Sequence, residues 1–406
     1  MNGTTFVPLV TDDSTLTPSN GFLTSSVSYT AGAADTNLGS PLAIQLTGNV
    51  TAGSNNQVLF DDVHLDFVAA PGDRSVYLKT QPFDKPLPGG GTVAMWGFAA
   101  CTDNTFTDCA APSGTDAPGP RIDAFASHNL TISVMNTLPM PVSIMIPGQA
   151  NTGVPTAATP GTRQTSFAAA VDPGSTGTYT FSGLKAGTYI YHSATYPSVQ
   201  VPMGLYGAVI VRSGATDAYP GIGAAAETLM LFSEVDPIQN NRVASYASAT
   251  PGNDCVPLNE YLNLMTAGMP CTIDYNPMYF FVNGEASADL PAGDPGDVAL
   301  LRMANAGLRS HTPAIVGAEF DLIAEDGNLY PIPQQQSAAL LAAGKTLDAM
   351  ITLPSSNVTL QLFDRMPTFS NENLPNGGAI GGLVVGTGTP YTPPVTNLAA
   401  DDGPYL

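Results

Sequence analysis

Gly187-Thr-Tyr-Ile-Tyr-His-Ser-Ala194, followed by Gln200-Val-Pro-Met-Gly-Leu-Tyr-Gly-Ala-Val-Ile-Val211, decides the fold of this chain. His192 falls at the end of a Tyr-rich strand, and Ala208-Val-Ile-Val211 is a short apolar run set off by Gly and Pro. Runs of the same kind recur at Leu130-Thr-Ile-Ser-Val-Met135, Leu229-Met-Leu-Phe232 and Val358-Thr-Leu-Gln-Leu-Phe363. Short strands with such turns at this spacing indicate an all-β sandwich or barrel. Almost no segment carries an apolar period of 3.6. The best helix candidate is Ser337 to Ala343, Ala/Leu-rich and only about two turns long.

The chain has 406 residues, too many for one sandwich of roughly 100–150. Hydrophobic residues make up 43%, so a sizeable core is affordable, and the 41 Gly and 36 Pro read as turn punctuation rather than disorder. The organisation expected is a Thr/Ser/Gly-rich extension over 1–56, one sandwich over 57–215, a second over 216–387, and a Pro-rich tail over 388–406. Ser213 to Pro220 reads as the linker between the two.

Charge excludes some functions. Twelve basic against 33 acidic residues give a net charge of -21, which offers no electrostatic basis for nucleic acid and repels anionic membranes. No apolar stretch is long enough to span a membrane. The four cysteines form two sequential pairs, Cys101 with Cys109 and Cys255 with Cys271. Of the three possible pairings, two local disulfides are the simplest, and they imply an oxidising compartment. The start of the chain has no basic n-region or apolar h-region, so an exported protein would have its signal peptide already absent.

Several segments carry a resemblance. Gly119-Pro-Arg-Ile122 and Leu130-Thr-Ile-Ser-Val-Met-Asn136 are followed by Pro141-Val-Ser-Ile-Met-Ile-Pro-Gly-Gln149, then by the stretch at 187–211. Further on come Phe232-Ser-Glu-Val-Asp236, Tyr279-Phe-Phe-Val-Asn-Gly284, Leu301-Arg-Met-Ala-Asn-Ala-Gly307 and Ile323-Ala-Glu-Asp-Gly-Asn-Leu-Tyr-Pro331. Taken in this order, they resemble the multicopper oxidases of the laccase and copper-resistance kind. The resemblance implies two tandem cupredoxin-like Greek-key β-sandwiches and, in an intact member, copper as cofactor.

The departures from that pattern bear on chemistry. Where the family writes Ser-Ile-His-Trp-His-Gly, Met145 and Pro147 stand at the two His positions. Where it writes Gly-Thr-Tyr-Trp-Tyr-His-Ser-His, His192 is kept and Ala194 replaces its partner. Copper of this kind needs clustered imidazoles and, at the blue site, a Cys thiolate. No Cys adjoins a His, and the chain has only four histidines: His64, His128, His192 and His311. His64, His128 and His311 read as surface or turn residues, and His192 as a relic bonded to backbone. Thioethers favour Cu(I), so His192 with Met145 or Met203 is the one candidate metal set. No catalytic residue is identified, and no Gly-x-Ser-x-Gly, His-Glu-x-x-His or Walker motif occurs.

The expectation is therefore an exported, non-catalytic structural or interaction protein of the cell surface or envelope, without cofactor, that works through a protein partner or self-assembly. The family includes copper-less members of that kind. The alternative is a copper-binding protein or oxidoreductase that uses residual Met/His ligands or ligands lent by a partner.

Overall fold

A computed structural model describes residues 72–151, 166–246, 255–256, 269–270, 275–366 and 378–388. All of these lie within one compact unit, Ala69–Leu406. The expected extension over 1–56, the tail over 388–406 apart from its first residue, and Cys271, the expected partner of Cys255, lie outside the described residues.

The first sandwich is built from β1 (Arg74–Pro86), β2 (Thr92–Cys101), β3 (Ile122–Phe125), β4 (Leu130–Met135), β5 (Thr176–Phe181), β6 (Gly187–His192) and β7 (Tyr206–Arg212). They form a four-stranded sheet, β2-β1-β4-β5, and a three-stranded sheet, β3-β7-β6. A short helix, α1 (Pro197–Gln200), links β6 to β7. Then come β8 (Asp217–Tyr219) and β9 (Ile222–Gly223), which pair with each other. The expected linker is thus partly a hairpin, and its Ala218 and Tyr219 are buried. Two apolar side chains in a Gly/Ser/Thr-rich stretch suffice to pin it.

The second sandwich holds β10 (Ala226–Val235), α2 (Pro237–Tyr246), β11 (Cys255–Val256), β12 (Met269–Pro270), β13 (Tyr279–Val282), β14 (Ala288–Gly293), β15 (Val298–Asn305), β16 (Pro313–Ile315), β17 (Phe320–Glu325), β18 (Asn328–Gln336), β19 (Thr346–Thr352), β20 (Val358–Asp364) and β21 (Ile380–Val385). Its sheets run β13-β10-β15-β19-β17-β18 and β14-β21-β20-β16. The parallel pairs β1/β4, β3/β7, β10/β15 and β14/β21 show that chain neighbours cross between sheets, as in a Greek key. The all-β sandwich expectation holds.

The helix expected over 337–343 is absent. Ala338 bridges Ala314 and Leu341 bridges His311, with Ala339 and Leu341 buried and Leu340 exposed between them. That is a period of two. A segment of about two turns cannot hold a helix by itself, and the adjacent strand ends supply competing partners.

Side-chain alternation places three cores. Val209 and Val211 of β7 face the first sandwich's interior, while Tyr206 and Ala208 face the other way. Met230 and Phe232 of β10 face the second interior, while Leu231 and Val235 join Tyr206 and Ala208. The sheet β3-β7-β6 therefore packs on the six-stranded sheet, and an apolar seam joins the sandwiches. Strands buried on both faces read as continuous apolar runs, which explains Leu229–Phe232 and Ala208–Val211.

Candidate functional site

Ile144 and Ile146 are buried in the first core, and Met145 between them is half-buried and packs against that core. Met145 and His192 form an isolated antiparallel bridge. Each backbone N–H donates to the other's carbonyl at 3.0 Å. Directly opposed residues of such a pair place their side chains side by side on one face. Pro147 is exposed, and Ala194 is fully buried. The ring Nδ1 of His192 lies 2.9 Å from the Ser193 carbonyl, to which the neutral ring donates. Burial pushes the pKa of His192 below its ordinary 6.5, and the bond to Ser193 offsets this only in part. Met203 belongs to the apolar core, where its carbonyl accepts from Trp96 N at 2.7 Å and its N–H donates to Val199. Of the three expected metal-site residues, the structure pairs Met145 with His192 and seats Met203 as packing.

A closed network of neutral side chains surrounds Ala194. Ser143, Ser166, Ser193, Thr195 and Gln200 are all buried. The Ala194 N–H donates to Ser143 Oγ at 3.2 Å. Ser143 Oγ lies 2.9 Å from Thr195 Oγ1, which lies 2.8 Å from Ser166 Oγ. Ser166 Oγ donates to the Ala168 carbonyl, Ser193 Oγ to Gln200 Oε1, and Gln200 Nε2 to the Pro141 carbonyl at 2.8 Å. These hydroxyls and the amide satisfy one another, which stabilises them in the interior. The donor set at the four family positions is one thioether, one imidazole, one proline and one alanine. It does not fit a multinuclear copper centre, which needs clustered imidazoles. Among the described residues, no group of three or more His, Cys, Asp or Glu is arranged to hold a metal ion.

The other histidines correct part of the sequence reading. His128 sits in a turn, 3.7 Å from Asp73, as expected, and His64 lies outside the described residues. His311, read as a surface or turn residue, is fully buried. Its Nδ1 lies 2.7 Å from Asp364 Oδ2 and its Nε2 3.2 Å from Glu234 Oε2. Burial opposes its charge, but the bonds to Asp364 and Glu234 outweigh that and raise its pKa to about 9. Both ring nitrogens are spent on carboxylates, so this group is a structural ion cluster.

A second buried charge cluster lies in the seam. Arg302 of β15 is fully buried between Leu301 and Met303, which face the other way into the second core. Its Nη1 donates to Thr188 Oγ1 of β6 at 3.0 Å and lies 3.6 Å from Asp348 Oδ1. Its Nε approaches Glu227 Oε2 at 2.9 Å as an ion pair, although the N–H is not aimed along that line. Asp348 also accepts from Thr188 and from Tyr219, and burial raises its pKa. Glu227 is shared with Arg121 and Arg212, and their charges with that of Arg302 hold its carboxyl below the usual range despite burial. Sequence patterning carries one signal for this cluster: a lone Arg inside the apolar run of β15.

Cys101 and Cys109 are joined in a disulfide that closes a surface loop, as expected. Within the loop Asp103 accepts from the Thr105 N–H and hydroxyl.

Residues 108–216 match the family described as "Multicopper oxidase". No curated protein sequence matches the chain. Solved structures with the same fold include the blue copper oxidase from Nitrosomonas europaea, at 19% identity and TM-score 0.54, over 77% of this chain and 85% of that one. The multicopper oxidase mgLAC aligns at 17% identity and TM-score 0.57, over 82% and 92% of the two chains. A copper nitrite reductase from Nitrosomonas europaea aligns at 15% identity and TM-score 0.54, over 78% and 94%.

Proposed function

We propose that this chain, a cupredoxin-fold protein whose first sandwich carries a multicopper oxidase domain, is an exported, non-catalytic structural or interaction protein on a scaffold that has lost its copper sites. One observation carries the reading. The four positions that resemble the family's first-sandwich ligands hold Met145, Pro147, His192 and Ala194, and the space around Ala194 is closed by hydroxyls that bond one another. Fold alone does not transmit activity, so the relatives' oxidase chemistry is not carried over.

Export is supported by the Cys101–Cys109 disulfide, which persists in oxidising compartments, and by the strongly acidic composition. A protein partner or self-assembly is supported by β18, an edge strand exposed along most of its length, where Ile332 is 77% exposed. Such an edge offers backbone groups to an added strand. The test is dioxygen uptake by the full chain with a phenolic electron donor, before and after incubation with copper. The reading predicts no uptake in either state; sustained turnover after copper loading contradicts it.

A second reading is a protein that holds one copper ion at Met145 and His192, with further ligands lent by a partner. The reciprocal bridge, which sets a thioether beside an imidazole, favours it. Bound copper near one equivalent that disappears in His192→Ala would select this reading over the first.

A further inference from the structure

Glu234, His311 and Asp364 come from three parts of the second sandwich. Along β10 the even-numbered residues Met230 and Phe232 face the interior, and Glu234 continues that face. Along β20 Leu360 and Leu362 face the same interior, and Asp364 continues theirs. These strands belong to opposite sheets, so the two buried carboxylates approach from opposite sides of the sandwich. His311 lies between them, anchored by reciprocal backbone bonds to Leu341 at 2.9 Å each.

We propose that His311 is held as a doubly protonated imidazolium between Glu234 and Asp364, and that this triad is a charge latch that joins the two sheets and loosens in alkaline solution. The geometry requires it. Glu234 Oε1 accepts the Leu308 and Arg309 N–H groups at 2.7 and 2.8 Å. Asp364 Oδ1 accepts the Thr312 and Met366 N–H groups at 2.6 and 3.1 Å. Each carboxylate has its second oxygen on a ring nitrogen of His311. A neutral imidazole has one donor, so one carboxylate would then face a bare lone pair in a low-dielectric interior. The Phe232 ring stacks on the imidazole, with centroids 5.3 Å apart, which suits a cation.

Among the described residues, the cation nearest in the chain to His311 is engaged elsewhere. Arg309, on the loop before β16, donates its guanidinium to the Tyr275 carbonyl. Tyr275 and, from β7 across the seam, Tyr206 lie within electrostatic reach of Glu234, and Asp236 within reach of Tyr275. Gly307 leaves the room: a Cβ there would lie 1.9 Å from Glu234 Oε2. This inference is independent of the copper question.

Because the folded state raises the pKa of His311 from 6.5 to about 9, the latch is fully present below pH 6.5 and is lost as pH rises through 9. The test is nitrogen NMR of the full chain labelled at histidine. The signals of His64, His128 and His192 are assigned by Gln substitution, which leaves the triad intact. The expected result is both His311 nitrogens protonated at pH 8, with a proton affinity two to three orders of magnitude above an ordinary histidine's. A bare ring nitrogen on His311 at pH 7 overturns the proposal. In parallel, the denaturant midpoint of the unsubstituted chain falls between pH 6.5 and 9, and His311→Asn abolishes that slope. A wild-type midpoint that stays flat over this window also overturns it, and that arm stands even if the variant fails to fold.

Discussion

Met145 and His192 exchange both backbone hydrogen bonds, each N–H reaching the other's carbonyl at 3.0 Å. This bridge sets the Met145 thioether and the His192 imidazole side by side. The half-buried His192 ring is held against the Ser193 carbonyl at 2.9 Å.

The His192 titration follows from that position. Its pKa is lowered by burial, so folding favours the neutral ring. Stability from this group is present above pH 6.5 and declines as pH falls below it, the opposite sense to His311. Proton NMR of the imidazole should show a midpoint below 6.5. A midpoint at or above 6.5 would mean that the ring is solvated.

Arg302 joins the sandwiches through Thr188, Glu227 and Asp348 while fully buried. Arg302→Met leaves the buried Asp348 without its countercharge, while Glu227 keeps Arg121 and Arg212, and one-sided loss of a buried pair costs about 3–5 kcal/mol. Denaturant unfolding should show that loss. Arg302→Lys recovers little of it, because lysine lacks the planar fork. An unchanged midpoint in Arg302→Met would count against the seam as a rigid joint.

Gly187 and Gly327 meet across the seam. A Cβ on Gly187, where φ is +144°, would lie 2.5 Å from the Gly327 Cα. Gly187→Ala combines backbone strain with overpacking, for a cost of about 2–4 kcal/mol. Gly91→Ala is the control: its φ is +80° with nothing within 4 Å, so only the backbone cost of about 1–2 kcal/mol applies. Equal unfolding midpoints for the two variants would refute a tight glycine contact.

The disulfide links cysteines eight residues apart. Closing so short a loop stabilises by about 2–3 kcal/mol in the chain-entropy account. Cys101→Ser with Cys109→Ser should lower the thermal midpoint without changing the far-ultraviolet spectrum. Equal midpoints with and without the bond would show that the loop is fixed by its own hydrogen bonds instead.

The sandwich fold was legible because strands buried on both faces, such as β7 and β10, appear as short apolar runs cut by Gly and Pro. The run at 130–135 coincides with β4, and the run at 358–363 covers β20 except for Asp364. The Met145 and His192 positions were legible through the resemblance. Their pairing was not, since it depends on a single bridge between residues far apart in sequence. His311 was missed because its partners lie 77 and 53 residues away, and nothing local distinguishes a buried imidazolium from a turn histidine. Ser337–Ala343 misled because Ala and Leu favour a helix until bridging strands at His311 and Ala314 offer their backbone instead.

Copper content of the native protein, isolated without added metal, tests the central claim most directly. The account predicts no multinuclear copper centre and no blue copper–thiolate absorption band, because imidazoles are too few and no Cys adjoins a His. Several tightly bound copper ions per chain would contradict it.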